Sequence, residues 1–324
     1  MFVELALIAV ALEASVGYPD VVYRVIGHPV TWIGRLIAWG ERAWNSEEEA
    51  FGQRRIQGVA LVLLLLAASL IAGLVVSRLC DRLLPYMLPL LVCAIFASTM
   101  LAQRSLYSHV AAVADALDKG GIEAGRQAVS MIVGRDTREL DEGAVSRAAI
   151  ESLAESFSDG VVAPLFWMVV AGLPGAIAYK AINTADSMIG HKSERYLAFG
   201  WAAARTDDLV NLPASRLSAL WLVLGAVAVP GLSPGRAIAA VWRDAGHHAS
   251  PNAGWPEAAM AGALGVRLAG PRIYDGEIVE DHWMGDGRSE LTAKDIRAAL
   301  RLYRTACGVQ IAVLTLLVGV SWVL

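Results

Sequence analysis

The sequence predicts an all-α, polytopic integral membrane protein with about four to six apolar helices, some of them re-entrant, and cytoplasmic helical and loop regions. Of its 324 residues, 56% are hydrophobic and only 18% charged, with a mean hydropathy of +0.50, a balance too apolar for a soluble domain of this size. Stretches 59–76, 84–101 and 306–324 are each about long enough to cross a ~30 Å hydrocarbon core as a helix. Between the apolar stretches lie polar regions 15–58, 103–160 and 233–304, with Lys and Arg gathered near the membrane edges.

Taken in order, residues 3–14 form a shorter apolar stretch that carries Glu4 and Glu13. It has neither a basic leader nor a small-residue cleavage site, so a retained helix is expected rather than a signal peptide. GYPDVVYRVIGHPVTWIG, residues 17–34, then supplies Tyr18, Asp20 and His28 in a loop whose glycines and prolines turn formation explains. GRDTRELD, residues 134–141, offers Arg135 as a fork of donors suited to phosphate, with Asp136 as a magnesium ligand or the cap of the next helix. On that helix Arg147, Glu151 and Glu155 share one face at four-residue spacing, with Asp159 about one turn on. Gly160 opens the next apolar run, so the stripe is expected at the lipid boundary, where charge is costly and seldom idle. A solvated face with Glu151 paired to Arg147 is the plainer alternative.

The run 161–178 contains Pro164, Gly172, Pro174 and Gly175, and 219–232 is short and ends at Pro230-Gly231. If both cross fully, the cation-bearing segment 179–218 falls outside, against the preference of Lys and Arg for the cytoplasmic side. Broken or re-entrant helices would keep every polar cluster on the cytoplasmic face, around a polar cavity. Beyond the run, Lys180, Asn183, Thr184, Ser187 and His191 recur at three- and four-residue spacing, with Asp186 beside them and Lys192 following. ARTDDLVNLPASR then sets Arg205, Asp207, Asp208 and Asn211 on a helix that Pro213 is expected to end. Region 233–291 reads as surface loops around a short apolar helix at 258–266, with His247, His248 and His282 as loop residues. Thr292 and Asp295 resemble a helix start, and Arg297, Arg301 and Arg304 lead into the last apolar helix as headgroup anchors, which puts that end in the cytoplasm.

A net charge of -4 with interleaved signs and no basic block argues against nucleic acid. The three cysteines, Cys80, Cys93 and Cys307, lie in or beside apolar segments without metal spacing and read as packing residues. GxxxxGK[ST], GxGxxG after a strand, GxSxG and HExxH are absent, so any nucleotide chemistry must use another kind of site. Closely set carboxylates favour magnesium held against substrate phosphates.

The set GYPDVVYRVIGHPVTWIG, GRDT, AAIESLAESFSDGVVAPLFW, GLPGAIAYKAINTADSMIGHK and FGWAAARTDDLVNLPASRL, in this order, closely resembles the adenosylcobinamide-phosphate synthase family of cobalamin biosynthesis (CobD/CbiB), over roughly residues 12–218. The resemblance implies a multi-pass enzyme of the cell inner (plasma) membrane with its active site facing the cytoplasm. A single membrane-embedded domain over 1–324 is expected, with core motifs in 12–218, a variable cytoplasmic region at 233–304 and a C-terminal membrane helix at 306–324. The implied reaction joins adenosylcobyric acid, through a propionate carboxylate, to aminopropanol phosphate or aminopropanol, with ATP and magnesium. Membrane lipid and other membrane-bound cobalamin-assembly enzymes are the implied partners.

For that chemistry the candidate catalytic residues are Asp186, His191, Lys180 and Glu155. Arg135, Thr137, Asn183, Thr184, Ser187, Lys192 and Arg205 are candidates for substrate and phosphate, and Glu151, Glu155, Asp159, Asp207, Asp208 and Asn211 for magnesium. The two polar faces flanking 161–178 are then expected as walls of one site, with the apolar run as its floor. The sequence departs from the family at Ser156, where an LAEN-like element usually has Asn, so no catalytic amide is expected there. Two other readings use the same residues: a corrinoid transporter or corrinoid-binding scaffold, and a transferase that needs no ATP.

Overall fold

The structure, a computed structural model, describes residues 2–270, 272–274, 277–279 and 282–323. Asp275, Gly276, Glu280 and Asp281 of the expected surface loops, and Leu324 of the expected last span, lie outside the described residues. The helices are α1 (Phe2–Val16), α2 (Asp20–Ile26), α3 (Pro29–Trp44), α4 (Phe51–Leu83), α5 (Leu88–Ser98), α6 (Gln103–Ser130) and α7 (Glu142–Phe157). A π-helical turn, Ser158–Val162, leads to α8 (Ala163–Ile189), α9 (Trp201–Ala228), α10 (Pro234–Asp244), α11 (Gly254–Leu264) and α12 (Ala293–Val323). Among the described residues, strands are confined to two small antiparallel pairs, β1 (Leu268–Ala269) with β4 (Trp283–Met284) and β2 (Arg272–Tyr274) with β3 (Glu277–Val279).

Among the described residues, five helical runs are long and apolar enough to cross a membrane: Phe51–Leu83, Leu88–Ser130, Glu142–Ile189, Trp201–Ala228 and Ala293–Trp322. A sixth is formed if Phe2–Val16 and Val21–Trp44, bent by 104°, count as one span. The expected 84–101 crossing is not one continuous helix. The 11 residues of α5 reach only about 17 Å at 1.5 Å per residue, and the run qualifies only together with α6. The expected 219–232 segment is likewise the end of a longer helix, because Pro213 lies inside α9 and does not end it. Proline removes one backbone N–H and bends the helix, but the ladder resumes beyond it. Trp167 Nε1 helps by donating to the Val210 carbonyl at 3.0 Å.

By packing, the chain divides into two compact units. The first comprises residues 1–102, 163–211 and 314–324, and the second 103–162 and 212–313. In the first, Ile37 of α3, Leu61, Val62 and Leu65 of α4, Ala181, Ile182, Ala185 and Ile189 of α8, and Ala202 and Ala203 of α9 form one buried cluster with Phe199. Small residues set how closely these elements approach. A Cβ on Gly58 would lie 1.9 Å from the Phe199 carbonyl oxygen, and one on Gly73 would lie 2.5 Å from Pro174 Cα. Pro174 follows a break in α8 at Ala171 and Gly172, where Gly172 has φ 64, the irregular backbone expected of 161–178.

In the second unit α7 is buried along much of its circumference, including Ser146, Ile150, Glu151, Leu153 and Phe157, whereas Glu155 is exposed. Phe157 packs edge-on against Tyr303 of α12, with ring centroids 5.4 Å apart. The cap of α7 is Asp141, whose Oδ1 accepts from Ala144 N–H at 2.7 Å, while Asp136 pairs with Arg138. Thr292 and Asp295 do form the expected start of α12, with Asp295 Oδ2 accepting from Thr292 N–H at 2.9 Å. Two of the arginines beyond it also find protein partners. Arg297 bonds Asp115 at 2.9 Å and Asp118 at 2.6 Å, and Arg304 lies over the Tyr107 ring, so α12 uses both to hold α6.

Region 233–291 is also more ordered than surface loops around one helix. Ser233 caps α10 by accepting from Arg236 N–H, and α10 meets α11 so closely that a Cβ on Gly262 would lie 2.8 Å from Ala237 Cα. Asp244, Asn252 and Glu257 are buried. α10 is in fact strongly amphipathic, with Ala237 and Ala240 on its buried face, and the Gly, Pro and His around it mask that period.

Candidate active site

Within the first unit, α8 brings Lys180, Asn183, Thr184, Asp186 and Ser187 along one side, and the start of α9 brings Arg205, Asp207, Asp208 and Asn211. The two helices are cross-linked by polar side chains. Tyr179 Oη donates to Asn211 Oδ1 at 2.8 Å, Asn211 Nδ2 donates to Asp207 Oδ2 at 2.8 Å, and Asn183 Nδ2 reaches Asp207 Oδ1 at 3.5 Å. Asp207 and Asn211 are buried, with 8% and 1% of their surface exposed, which a carboxylate tolerates only with donors around it. Asp186 lies within electrostatic reach of Asp207, Asp208 and His191, so three carboxylates converge on one region. Arg205 balances one of them through a 2.9 Å contact to Asp208.

The hydroxyls of Thr184 and Ser187 donate back to the carbonyls of Lys180 and Asn183, at 2.7 and 2.9 Å, which leaves their oxygens as acceptors. His191 and Lys192 are exposed in the turn after α8. That turn is strapped down by Arg195, which bonds Glu41 and Glu47 while its carbonyl receives Asn45 and Arg54. Nothing in the sequence singled out Tyr179, and His28 read only as part of a turn. Tyr179 looks apolar by position, and its hydroxyl is what ties α8 to Asn211. His28 lies within electrostatic reach of Lys180, although its loop composition alone pointed only to a turn.

The second unit holds the other candidates. Arg135, Glu151 and Glu155 line a cavity of about 410 Å³ together with His248 and Glu257. Arg135 pairs with Glu151 Oε2 at 3.1 Å, and Ala269 N–H donates to Glu151 Oε1 at 2.9 Å, so both carboxylate oxygens meet protein donors. Arg147, which the plainer alternative paired with these acids, bonds the Ser289 carbonyl at 2.5 Å and lies over Trp283. Thr137 is buried and donates to the Arg126 carbonyl at 3.2 Å. Asp136 is exposed, and its bonds from Arg138 hold it down to a pKa of about 2. Asp159 sits in the π-helical turn, partly exposed. His248 and Glu257, 3.8 Å apart, come from the stretch that composition marked as loop, and only packing brings them to the Arg135 cavity.

Among the described residues, no three His, Cys, Asp or Glu side chains are grouped to hold a metal by themselves. Magnesium does not require such a cage, because it keeps waters and takes one or two carboxylates together with substrate phosphates. Asp186 and Asp208 fit that pattern. Asp207 fits it less well, with its two oxygens already facing Asn183 and Asn211.

Long apolar helices, two of them carrying converging carboxylates and amides, define a polytopic helical membrane protein with a buried polar cluster. The chain belongs to the CobD/Cbib protein family, whose profile matches residues 6–303. It is 52% identical over 304 residues to the cobalamin biosynthesis protein CobD of Sinorhizobium fredii, covering 93% of this chain and 92% of that protein. It is also 48% identical over 326 residues to the protein of the same name from Rhodobacter capsulatus, covering 100% and 98%, and 49% identical over 300 residues to that of Brucella suis, covering 91% and 90%. No solved structure matches the chain.

Proposed function

We propose that this chain acts in cobalamin biosynthesis as an ATP-dependent ligase of the inner membrane. It would join a propionate carboxylate of adenosylcobyric acid to the amine of aminopropanol phosphate and yield adenosylcobinamide phosphate. Family membership supports the pathway, and the convergence of Asp186 and Asn183, on the helix that also carries Lys180, with Asp207, Asp208 and Asn211 is the observation that carries the chemistry.

Amide formation from a carboxylate needs an activated acyl group. Transfer of the terminal phosphoryl group of ATP to the propionate gives an acyl phosphate and ADP. Attack by the amine then forms the C–N bond and expels inorganic phosphate. Lys180 and Arg205 neutralise phosphoryl oxygens, with Lys192 at the open end of α8. Asp186, with His191 in electrostatic reach, accepts the proton lost by the amine. Asp208 is the group that would hold magnesium against the phosphates, with water completing its shell, and when bound the ion would supply positive charge against the developing negative charge. Asp207, held by two amides, keeps Asn183 and Asn211 oriented.

The test is a purified full-length preparation supplied with corrinoid, amine, magnesium and ATP, with the amide product followed by mass. Product that depends on ATP is expected. Product without ATP would leave a transferase using a pre-activated substrate, and corrinoid uptake into vesicles with no product would leave a transporter.

A further inference from the structure

The loop before α3 is held more firmly than a turn requires. Gly27 has φ 72 and ψ -167, a backbone region open almost only to glycine. Around it, Tyr18 Oη donates to the Gly27 carbonyl at 2.7 Å, Trp32 Nε1 to the Ile26 carbonyl at 3.0 Å and Thr31 Oγ1 to the His28 carbonyl at 2.6 Å. Three side chains thus fix three successive carbonyls, and the group they hold in place is the His28 ring, edge-on to Tyr18 with centroids 4.5 Å apart.

The protonation pattern of that ring follows from its bonds. Val30 N–H donates to His28 Nδ1 at 3.2 Å, so Nδ1 is an acceptor and the neutral imidazole carries its proton on Nε2. Thr31 N–H is used on the His28 carbonyl at 2.8 Å, which leaves the imidazole as the relevant donor here. The ring is partly exposed. Its place in the fold is set by α3 packing on α8: Ile33 and Ile37 join the cluster of Ala181, Ile182 and Ala185, and a Cβ on Gly34 would lie 3.5 Å from Met188 Sδ. Six residues before Gly34, His28 comes within electrostatic reach of Lys180, at the start of the polar face of α8.

We propose that His28 and Lys180 together form a binding site for an anionic oxygen of a substrate, phosphate or carboxylate, with His28 Nε2–H donating the hydrogen bond and Lys180 supplying the charge. A fixed neutral donor beside an ammonium group suits a delocalised oxyanion and disfavours a cation. The identity of the anions rests on the reaction proposed above, whereas the site itself is tested by binding.

The experiment uses the full-length protein in detergent and calorimetric titration, without turnover, with aminopropanol phosphate in one arm and adenosylcobyric acid in the other. His28→Asn is the informative variant because Asn caps a helix as well as most residues but cannot place a donor where Nε2 stands. It is expected to melt with the wild type and to lose about tenfold in affinity for one of the two ligands, about 1.4 kcal/mol. The arm affected names the anion. Lys180→Met, which leaves the loop untouched, should weaken the same ligand and serves as the deciding variant if His28→Asn does not fold. Wild-type affinity for both ligands in His28→Asn, or in Lys180→Met where that variant decides, would overturn the site. A wild type that binds in a His28-dependent way but forms no amide would refute the ligase and keep the site.

Discussion

Asp186 and Asp208 face the same region from two helices, and each is the kind of group an acyl-phosphate reaction needs, for proton transfer or for magnesium. Asp208→Ala or Asp186→Ala is expected to lower amide formation by about 100-fold or more while the protein still inserts and melts normally. Turnover near the wild-type rate, measured in the product assay, would remove that residue from the mechanism. Asp244 gives a residue-scale prediction of another kind. Burial alone would raise its carboxyl, but two bonds from Arg243 at 2.7 Å and the Gly285 N–H at 2.7 Å outweigh it, and the net pKa lies below the usual carboxylate range. A lowered folded pKa means stability that is present above that range and lost as pH falls through the folded value. The melting temperature should therefore drop on acidification below about pH 4, and Asp244→Asn should be less stable at neutral pH with a shallower acid slope.

At the scale of elements, close approach depends on glycines whose importance lies in what they touch. Gly58→Ala would put a methyl group 1.9 Å from a backbone oxygen in the turn before α9, and backbone cannot swing away as a side chain can. A loss of about 1–3 kcal/mol is expected, read as a lower melting temperature in detergent. Gly52, with nothing within 4 Å of a built Cβ, is the control that should tolerate the same change. The start of α12 is a gentler case. Asp295→Ala removes the acceptor for Thr292 N–H and should cost about 1 kcal/mol. Much of this was legible beforehand: the 59–76 crossing, the Thr292 start and the polar spacing on α8 are local patterns, and local hydrogen bonding or periodicity enforces them. Asp141 as the cap of α7 was legible too, since an acid three residues ahead of a helical N–H is a capping signal, but the denser GRDT beside it drew attention away.

For the whole molecule, the open question of sidedness has a direct readout. Cysteines placed singly at Ser187 and Arg205, both in the first unit, should react with a membrane-impermeant reagent from the cytoplasmic face. Labelling confined to the periplasmic face would reverse the proposed orientation. The same experiment bears on 161–178, whose helix is broken at Ala171 and Gly172 yet long enough, within Glu142–Ile189, to cross.

The sequence by itself determined that this is a helical membrane protein and which family it belongs to. Those properties follow from hydrophobic length and from residues close together in the chain. Only the tertiary structure decided which partners the polar groups take: Glu151 with Arg135 rather than Arg147, Arg297 with Asp115 and Asp118, Tyr179 with Asn211, and His28 within electrostatic reach of Lys180. The reason is that a buried charge or amide must find a donor or acceptor wherever packing supplies one, and packing joins residues as far apart as Arg297 and Asp115, separated by 182 positions, which no spacing rule along the chain can reach.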